Sequence, residues 1–413
     1  DEKSASLFKM RQHPPRHPQL PSSIWKRLQH LGSNVGCTLL VSLVFGFEAY
    51  SYNAVFIARV LPAVQKDSFM LPLAALFNAA LGLALWSYLR ARFSDPGVVP
   101  QRWQEFVSEV GELLPMAPAR LEWQPGKATY CTACGVPRPE RAHHCRICGV
   151  CILRLDHHCP WLVNCVGFKN HKYFLLAIFW GLVASLVGIF TALPELAACF
   201  DAFVRMQEGL GMGAEFPVHV TDVWLLLGFG AIALPLSMLL STMLLGHTEL
   251  LAHNTTSIEG HYDNMPNPFD QGSSLGNISQ IFGDLGADWL LPIAPWRPFT
   301  DGVSFERVDE RFMGANAPNG GRKGWSPELL AERVWHIRYR VRMSDCGDAE
   351  RGGGLLPLSW FGGRPAAAVS PRASDSLPPP SSDRDPLIGA APRPPGAPYR
   401  WRDALTGRYI ISL

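Results

Sequence analysis

Four stretches of the chain are apolar over a length that matches the hydrocarbon core of a bilayer. They run near Val35–Val60, Phe69–Leu89, Tyr173–Leu193 and Val223–Leu245. A transmembrane helix needs about 20 predominantly apolar residues, and buried helices of soluble proteins are usually shorter. The pattern therefore predicts four transmembrane helices in two pairs, with a long hydrophilic region between the pairs.

Charged residues around these stretches predict their orientation. Six basic residues precede the first stretch, and Arg90 and Arg92 follow the second. By contrast, the segment Pro194–Asp222 has one basic residue, Arg205, against five acidic residues. Because short loops rich in Lys and Arg stay in the cytosol, we predict that both termini and residues 90–172 are cytosolic.

Glu48 interrupts the first apolar stretch. A carboxyl group is expensive in hydrocarbon, and in a membrane span it often marks a functional site. The plainer interpretation is that Glu48 faces the interior of the bundle, pairs locally or is protonated. Nothing near it in the sequence completes a site, so the plainer interpretation is favoured.

The composition agrees with a membrane protein. Hydrophobic residues make up 47% of the 413 residues and charged residues only 17%, whereas about 25% is usual for charged residues in soluble proteins. The net charge is +2, so no overall field favours a nucleic-acid partner.

These patterns predict a polytopic α-helical membrane protein in six segments. From residue 347 to 398 the chain is rich in Pro, Gly, Ser and Ala, a composition that cannot bury enough apolar surface to order itself. The segments are a cytosolic N-terminal segment 1–34, helices 35–89, a cytosolic Cys-rich domain 90–172, helices 173–246, a cytosolic C-terminal region 247–345 and a largely disordered tail 346–413.

The cysteines are concentrated in one place. Seven of the ten lie between Cys131 and Cys165. Three pairs have a two-residue gap, and such a gap lets a short turn aim two thiolates at one tetrahedral zinc ion. The pairs are Cys131/Cys134, Cys145/Cys148 and Cys148/Cys151. Two closed sites would use eight ligands. The region offers more than eight, because it has seven cysteines and five histidines, which are His143, His144, His157, His158 and His171.

Cys159 is the natural candidate for a nucleophile among the surplus cysteines. It ends the run Asp156-His157-His158-Cys159, in which a His could take the thiol proton and an Asp could orient that His. Spacing alone leaves open which of His157 and His158 is the base. It also leaves open a double zinc ribbon in which Cys159 is merely buried or a spare ligand.

A zinc module that binds nucleic acid is disfavoured. Residues 98–171 carry eight Lys and Arg against six Asp and Glu, which is not the basic footprint such binding needs. The region is also held between two predicted spans.

The run from Cys131 to Phe174 closely resembles the Asp-His-His-Cys protein S-acyltransferase family, the palmitoyltransferases. Three further motifs agree with this family in order and position. They are Asp95-Pro96-Gly97 after the second span, Thr256-Ser257-Ile258-Glu259 after the fourth span, and Asn267-Pro268-Phe269-Asp270-Gln271-Gly272 followed by Asn277. Two departures are mild, since Ser257 stands where the family has Thr and Phe269 where Tyr is commoner.

The resemblance implies two structural zinc ions with four ligands each. The ligands of the first are Cys131, Cys134, His144 and Cys151, and those of the second are Cys145, Cys148, His158 and Cys165. This assignment leaves Cys159 as the nucleophile, His157 as its base and Asp156 as the group that orients His157. Trp161 is expected at the membrane interface, in contact with substrate, although plain packing on the zinc-binding lobe is an equal alternative.

The resemblance also implies an activity. Cys159 would take a long-chain acyl group from acyl-CoA, with palmitoyl-CoA as the expected donor, and pass it to cysteines of membrane-associated or cytosol-facing proteins. The expected location is an endomembrane, Golgi or endoplasmic reticulum, with room for an accessory subunit and no nucleic-acid partner. The alternative from another class is a catalytically silent membrane adaptor that retains the zinc-binding lobe.

Overall fold

The computed structural model describes residues 24–111, 114–211, 217–305, 339, 399–402 and 409–412, with side chains described from residue 32 to residue 305 and at residue 339. The chain divides into two compact units, Asp1–Glu332 and Arg333–Leu413. All the helices and sites below belong to the first unit.

Four long helices dominate the first unit. Helix α1 runs Ile24–Tyr50 and continues as a π-helix Ser51–Val60 and a short turn Leu61–Ala63. Helices α2, α4 and α5 run Met70–Phe93, His171–Gln207 and Val220–Ala252. Each contains a window long and apolar enough to cross a membrane. The prediction of four long apolar helices is confirmed.

The long helices extend beyond the predicted spans, and the longest extension is that of α4. The third predicted span ended at Leu193, but α4 continues through Pro194 to Gln207. A proline inside a helix removes one backbone hydrogen bond. The residues beyond it compensate by packing, because Glu195, Cys199 and Ala202 are all buried.

Aromatic rings form the core of the bundle at the end remote from the cysteines. The Tyr52 ring stacks on Phe77 with centroids 3.8 Å apart, and the Tyr52 hydroxyl bonds the Thr191 hydroxyl at 2.6 Å. Gly188 allows the close approach of α4, since a Cβ there would lie 2.6 Å from the ring of Phe229. These contacts lock α1, α2, α4 and α5 together.

The segment between α2 and α4 forms a small Cys-rich lobe, residues 114–170. Helix α3, Gln101–Val110, precedes it. The lobe contains seven short strands: β1 Met116–Ala117, β2 Ala128–Cys131, β3 Val136–Arg138, β4 His143–Cys145, β5 Val150–Ile152, β6 His157–Cys159 and β7 Asn164–Val166. Three antiparallel hairpins follow one another, β2–β3, β4–β5 and β6–β7.

The first two hairpins turn in the same way. The amide of Gly135 donates to the carbonyl of Cys131 at 2.8 Å, and the amide of Gly149 donates to that of Cys145 at 2.8 Å. Both glycines have a positive φ, near +72° and +71°, which residues with a Cβ rarely adopt. This tight turn brings both cysteines of a pair to one side of the hairpin.

The chain after α5 packs against both the lobe and the helices. It contains helix α6, Ser274–Phe282, and single turns at Glu259–His261 and Ala287–Leu290. Phe269 and Phe305 pack with Trp123 of the lobe in one buried cluster. Residues 253–305 are therefore part of the first unit rather than a separate domain.

The second unit contains two short strands within the predicted tail. Strands β8, Tyr399–Arg402, and β9, Tyr409–Ser412, pair antiparallel. The prediction of a largely disordered tail did not include this pairing. Residues 346–398 lie outside the described residues, so the predicted disorder of that part of the tail stays a prediction.

Candidate active site and metal sites

The first group of ligand atoms joins the β2–β3 and β4–β5 hairpins. The Nδ1 atom of His144 lies 3.6 Å from Cys131 Sγ, 3.2 Å from Cys134 Sγ and 3.9 Å from Cys151 Sγ. Around a tetrahedral zinc ion, with Zn–S of about 2.3 Å and Zn–N of about 2.0 Å, these edges would be roughly 3.6 Å. The four side chains therefore fit one such ion.

The second group joins the β4–β5 and β6–β7 hairpins. The Nδ1 atom of His158 lies 3.8 Å from Cys145 Sγ, 3.4 Å from Cys148 Sγ and 3.6 Å from Cys165 Sγ. All four ligand atoms lie within 4.8 Å of one another, as in the first group. The structure thus brings together the same two sets of four that the resemblance implied.

The hairpin β6–β7 separates the candidate metal ligand His158 from Cys159. Successive side chains of a strand point to opposite faces. His158 therefore faces the second metal group, while His157 and Cys159 share the other face. The distinction between the two histidines, which spacing left open, follows from this alternation.

His157, Asp156 and Ser257 form a chain of hydrogen bonds. His157 Nδ1 lies 2.6 Å from Asp156 Oδ2. The carboxylate of Asp156 also accepts from the amide of Ser257 at 2.8 Å and from its hydroxyl at 2.9 Å. Asp156 is 2% exposed, so these bonds replace the water that a carboxylate would otherwise need. The position where the family has Thr retains the hydroxyl function here.

The Cys159 thiol is activated by the same chain. Burial acts to raise its pKa, but hydrogen bonds with His157 and with the amides of Leu162 and Trp161 lower it below the ordinary value. Burial likewise lowers the pKa of His157, yet the hydrogen bonds with Asp156 and Cys159 raise it to about 9. The two shifts favour a thiolate beside an imidazolium, which is the reactive state of a cysteine nucleophile.

The carboxyl group of Asp156 stays ionised in this arrangement. Burial acts to raise its pKa, but the hydrogen bond from His157 and that from the Ser257 amide hold it well below the usual range. An ionised Asp156 fixes the ring of His157 with Nδ1 toward the carboxylate, so that Nε2 is the atom free to face the thiol.

Three residues near the site, the buried Arg154 and His171 and the half-buried His247, were not assigned a role there from the sequence. The ring of His247, on α5, lies 5.7 Å from that of His157, and its Nδ1 is 3.9 Å from Asp156 Oδ2. His171, at the start of α4, contacts the guanidinium of the fully buried Arg154 at 3.1 Å. His247 lies two residues beyond the fourth predicted span, so its closeness to that span was the only signal in the sequence.

Asp156, His171 and His247 also offer three ligand atoms within 4.8 Å of one another. A cation there would compete with His157 for the Asp156 carboxylate. It would also lie close to the buried guanidinium of Arg154, so like charges oppose its binding. This group is better explained as packing around Asp156.

The Thr-Ser-x-Glu motif ties the chain after α5 to the lobe. Glu259 receives a bidentate pair of 2.7 Å hydrogen bonds from the guanidinium of Arg141. Thr256 caps the same turn, because its hydroxyl accepts from the amide of Glu259 at 3.2 Å. Arg141 and Glu259 are both buried, so each charge depends on the other. The motif therefore holds Ser257 against Asp156.

The Asp95-Pro96-Gly97 motif is also structural. Asp95 accepts from the amides of Gly97 and Val98 at 2.9 Å, and the carbonyl of Pro96 accepts from the amide of Lys169 at 3.3 Å. These hydrogen bonds hold the segment that connects α2 to the lobe.

Two asparagines anchor the region after α5. Asn267, which precedes Pro268, donates to the carbonyl of His253 at 2.6 Å. The buried Asn277 donates to the carbonyl of Ala252 at 2.7 Å. Both therefore fasten the end of α5 to the C-terminal region.

An apolar cavity of about 320 Å³ lies between the four long helices, and Cys159 lines it. All four long helices contribute to its wall, which includes Val44, Phe45, Leu81, Ile178, Leu240 and Met243. Trp161, half exposed, lines it beside Cys159. The site thus combines a thiol of lowered pKa with a space suited to a hydrocarbon chain.

Comparison with known proteins agrees with this geometry. The family model described as DHHC palmitoyltransferase matches residues 124–263. A relative from Arabidopsis thaliana, "Probable protein S-acyltransferase 12", is 33% identical over 262 residues, which are 62% of this chain and 86% of the relative. The chain belongs to the DHHC palmitoyltransferase family.

Animal members of the family are similar to the chain as well. "Palmitoyltransferase ZDHHC20-B" from Danio rerio is 31% identical, over 55% of this chain and 73% of the relative. "Palmitoyltransferase ZDHHC2" from Rattus norvegicus is 30% identical, over 67% of this chain and 68% of the relative. The DHHC model covers both metal groups, the run from Asp156 to Cys159 and the Thr-Ser-x-Glu motif.

Proposed function

We propose that this DHHC family member is a protein S-acyltransferase that carries a long-chain acyl group on Cys159. The observation that supports it most directly is the position of Cys159. Its thiol interacts with His157, which lowers the pKa of the thiol, and it lines the apolar cavity. Palmitoyl-CoA is the expected donor, because each methylene buried in such a cavity contributes about 0.8 kcal/mol.

In the first step, the Cys159 thiolate attacks the carbonyl carbon of the acyl-CoA thioester. A carbon–sulfur bond to Cys159 forms, and the bond to the CoA sulfur breaks. CoA takes up the proton that His157 removed from Cys159, so the charge is conserved. The product is an acyl-enzyme thioester, the mark of covalent catalysis by a cysteine.

In the second step, a cysteine of a substrate protein replaces CoA. His157 removes the proton of the incoming thiol, whose sulfur attacks the acyl carbon while Cys159 leaves as a thiolate. One thioester replaces another in both steps, so the protein has little bond energy to supply. Its contribution is to position the reactants and to activate the thiol.

The metal that we propose for both Cys/His groups is zinc, in a structural role. Sets of three cysteines and one histidine at these distances are typical of closed zinc sites. Four protein ligands leave no coordination position for a substrate. The second group shares the β6–β7 hairpin with His157 and Cys159, so bound zinc would fix the strand that carries the nucleophile.

The experiment that tests the activity is direct. Purified protein incubated with palmitoyl-CoA should gain the mass of one palmitoyl group, and digestion should place that mass on the peptide that contains Cys159. Hydroxylamine, which cleaves thioesters, should remove it. A protein that gains no mass, or gains it equally after Cys159→Ser, would instead be the silent adaptor that the sequence left open.

We propose that the active site and both termini face the cytosol, with the six segments of the chain arranged as the charge pattern indicates. Acceptor proteins would then be cytosolic-facing or membrane-associated, and the membrane would be that of the Golgi or endoplasmic reticulum. An accessory subunit remains compatible with this arrangement.

Glycosylation mapping can test this orientation. The natural acceptor patterns at Asn254 and Asn277 are unsuitable, because both side chains are buried and donate to backbone carbonyls. The double substitution Glu208→Asn and Leu210→Ser creates a pattern in an exposed turn between α4 and α5. Because glycans are added only on the luminal side, we expect this variant to be glycosylated.

The control places a pattern on the opposite side of the predicted membrane. His261→Asn with Asp263→Thr creates it at exposed positions next to the Thr-Ser-x-Glu motif. This variant should remain unglycosylated when expressed in the same cells. A gel shift on the control variant, with none on the first, would mean that the orientation is the reverse of the one proposed.

A further inference from the structure

Glu48 has no role in the chemistry described above, yet it lies in the wall of the acyl cavity. Its side chain is buried, with 6% of the residue exposed. Its Oε1 atom makes no hydrogen bond within the described residues. The local pairing considered from the sequence is therefore not found for this atom. A buried polar atom without a partner destabilises the folded protein unless a bound ligand supplies the missing hydrogen bond.

The depth of Glu48 follows from the helix geometry. Thr38 of α1 accepts a hydrogen bond from Arg92 at the end of α2 nearest the lobe. Glu48 is ten residues further along α1, which is about 15 Å at 1.5 Å per residue. Glu48 thus lies far from the position of the thioester, in the part of the cavity wall remote from the lobe.

Ser185 lies at a similar depth on α4. The ring of Phe174, at the start of α4, is 5.3 Å from the ring of His157. Ser185 follows it by eleven residues, which is about 16 Å. Ser185 lines the same cavity as Glu48 and is 7% exposed. Two polar side chains on different helices therefore line the cavity at a similar depth, and the wall around them is mostly apolar.

Packed aromatic rings border the cavity beside this section. Phe77 belongs to its wall, and the ring of Tyr52, one helical turn after Glu48, stacks on it. A chain that enters from Cys159 would therefore bring its distal part, rather than its middle, to Glu48 and Ser185.

We propose that Glu48 and Ser185 form a hydrogen-bonding site for an acyl chain that carries a hydroxyl group near its distal end. A carboxyl group can accept a hydrogen bond from a hydroxyl in either protonation state, and a serine hydroxyl can both donate and accept. A plain alkyl chain leaves Oε1 unpaired, whereas a hydroxylated chain satisfies it. Sites built around such a bond discriminate against the analogue that lacks the hydroxyl.

This inference rests on the proposed function, and the test separates the two. Full-length protein is incubated with equal concentrations of palmitoyl-CoA and a hydroxylated 16-carbon acyl-CoA, and the two acyl-enzymes are quantified by intact mass. The hydroxyl is placed on the last carbon, on the next-to-last carbon or, as the control ligand, on the carbon beside the carbonyl. The control hydroxyl would lie near Cys159, far from Glu48.

We expect the wild-type protein to favour a distal hydroxyl over the control hydroxyl by roughly tenfold, the effect of one recovered hydrogen bond. Glu48→Leu should abolish this preference, whatever its effect on the total yield of acyl-enzyme. Glu48→Gln should keep part of it, because an amide also bonds a hydroxyl, and Ser185→Ala should weaken it.

Three results would overturn the proposal. They are equal use of the distal and control hydroxyls by wild type, an unchanged ratio in Glu48→Leu, and a loss of palmitate as large as the loss of hydroxylated chain. If Glu48→Leu does not fold, the wild-type ratio and the Glu48→Gln variant decide. If no acyl-enzyme forms with any acyl-CoA, the proposed function itself fails.

Discussion

Replacing His157 with Ala should reduce the rate of acyl-enzyme formation by roughly 10²–10⁴-fold, the usual contribution of a general base. His157 is the partner that raises the thiolate population of Cys159, and it is itself held at 2.6 Å by Asp156. Without it, burial would raise the pKa of the Cys159 thiol. The rate can be measured by quenching the reaction of purified protein with palmitoyl-CoA at short times.

A matched control is His219→Asn, at the remote end of α5. His219 caps that helix by accepting from the amide of Thr221, and Asn is an equally good cap. This variant should acylate at the wild-type rate. If His157→Ala also acylated at that rate while remaining folded, His157 would not be the base, and His247 would become the candidate.

Removing one ligand of the second metal group should unfold the Cys-rich lobe. Zinc bound by such a set supplies about 10–16 kcal/mol, which matches or exceeds the whole stability of a typical domain, about 5–15 kcal/mol. We therefore expect Cys145→Ala to lose bound zinc, to become sensitive to proteolysis between residues 131 and 165, and to form no detectable acyl-enzyme. Zinc content, limited digestion and acyl labelling would be measured on the same preparation.

Two comparisons sharpen this test. Cys199→Ala removes a buried cysteine of α4 that belongs to neither metal group, so it should keep its zinc and its activity. Cys131→Ala affects the first group, which does not share the β6–β7 hairpin, and should reduce zinc by about half. A Cys131→Ala or Cys145→Ala protein with full stability and full acylation would show that the groups do not hold the lobe together.

The long helices and the metal pairs were predictable because both depend on short stretches of sequence. About 20 consecutive apolar residues are enough to predict a membrane span. Two cysteines separated by two residues need only a tight turn, such as the one at Gly135, to face one ion. The exact end of α4 was not predictable in this way, since its continuation through Pro194 depends on packing against other helices.

The partners of Asp156 show what the sequence left undetermined. Ser257 lies 101 positions away in the chain, yet its amide and hydroxyl both bond the Asp156 carboxylate. The motif that contains Ser257 was recognisable in the sequence, but nothing in it predicted that Ser257 contacts Asp156. His247, inside an apolar helix, gave no sign that its ring would lie beside that of His157.

The sequence by itself determined the kind of protein: four apolar helices and several cysteine pairs spaced for metal binding, with the family resemblance supplying the division into two ligand sets and the cysteine left over. These features are encoded locally, in composition and in spacings of a few residues. Only the tertiary structure decided how the features meet. It made Cys159 part of the wall of a cavity built by four helices, and it placed Glu48 in the same wall with an oxygen that has no hydrogen-bond partner among the described residues. Such contacts join residues distant in the chain, and they arise from the packing of whole helices, which no local pattern specifies.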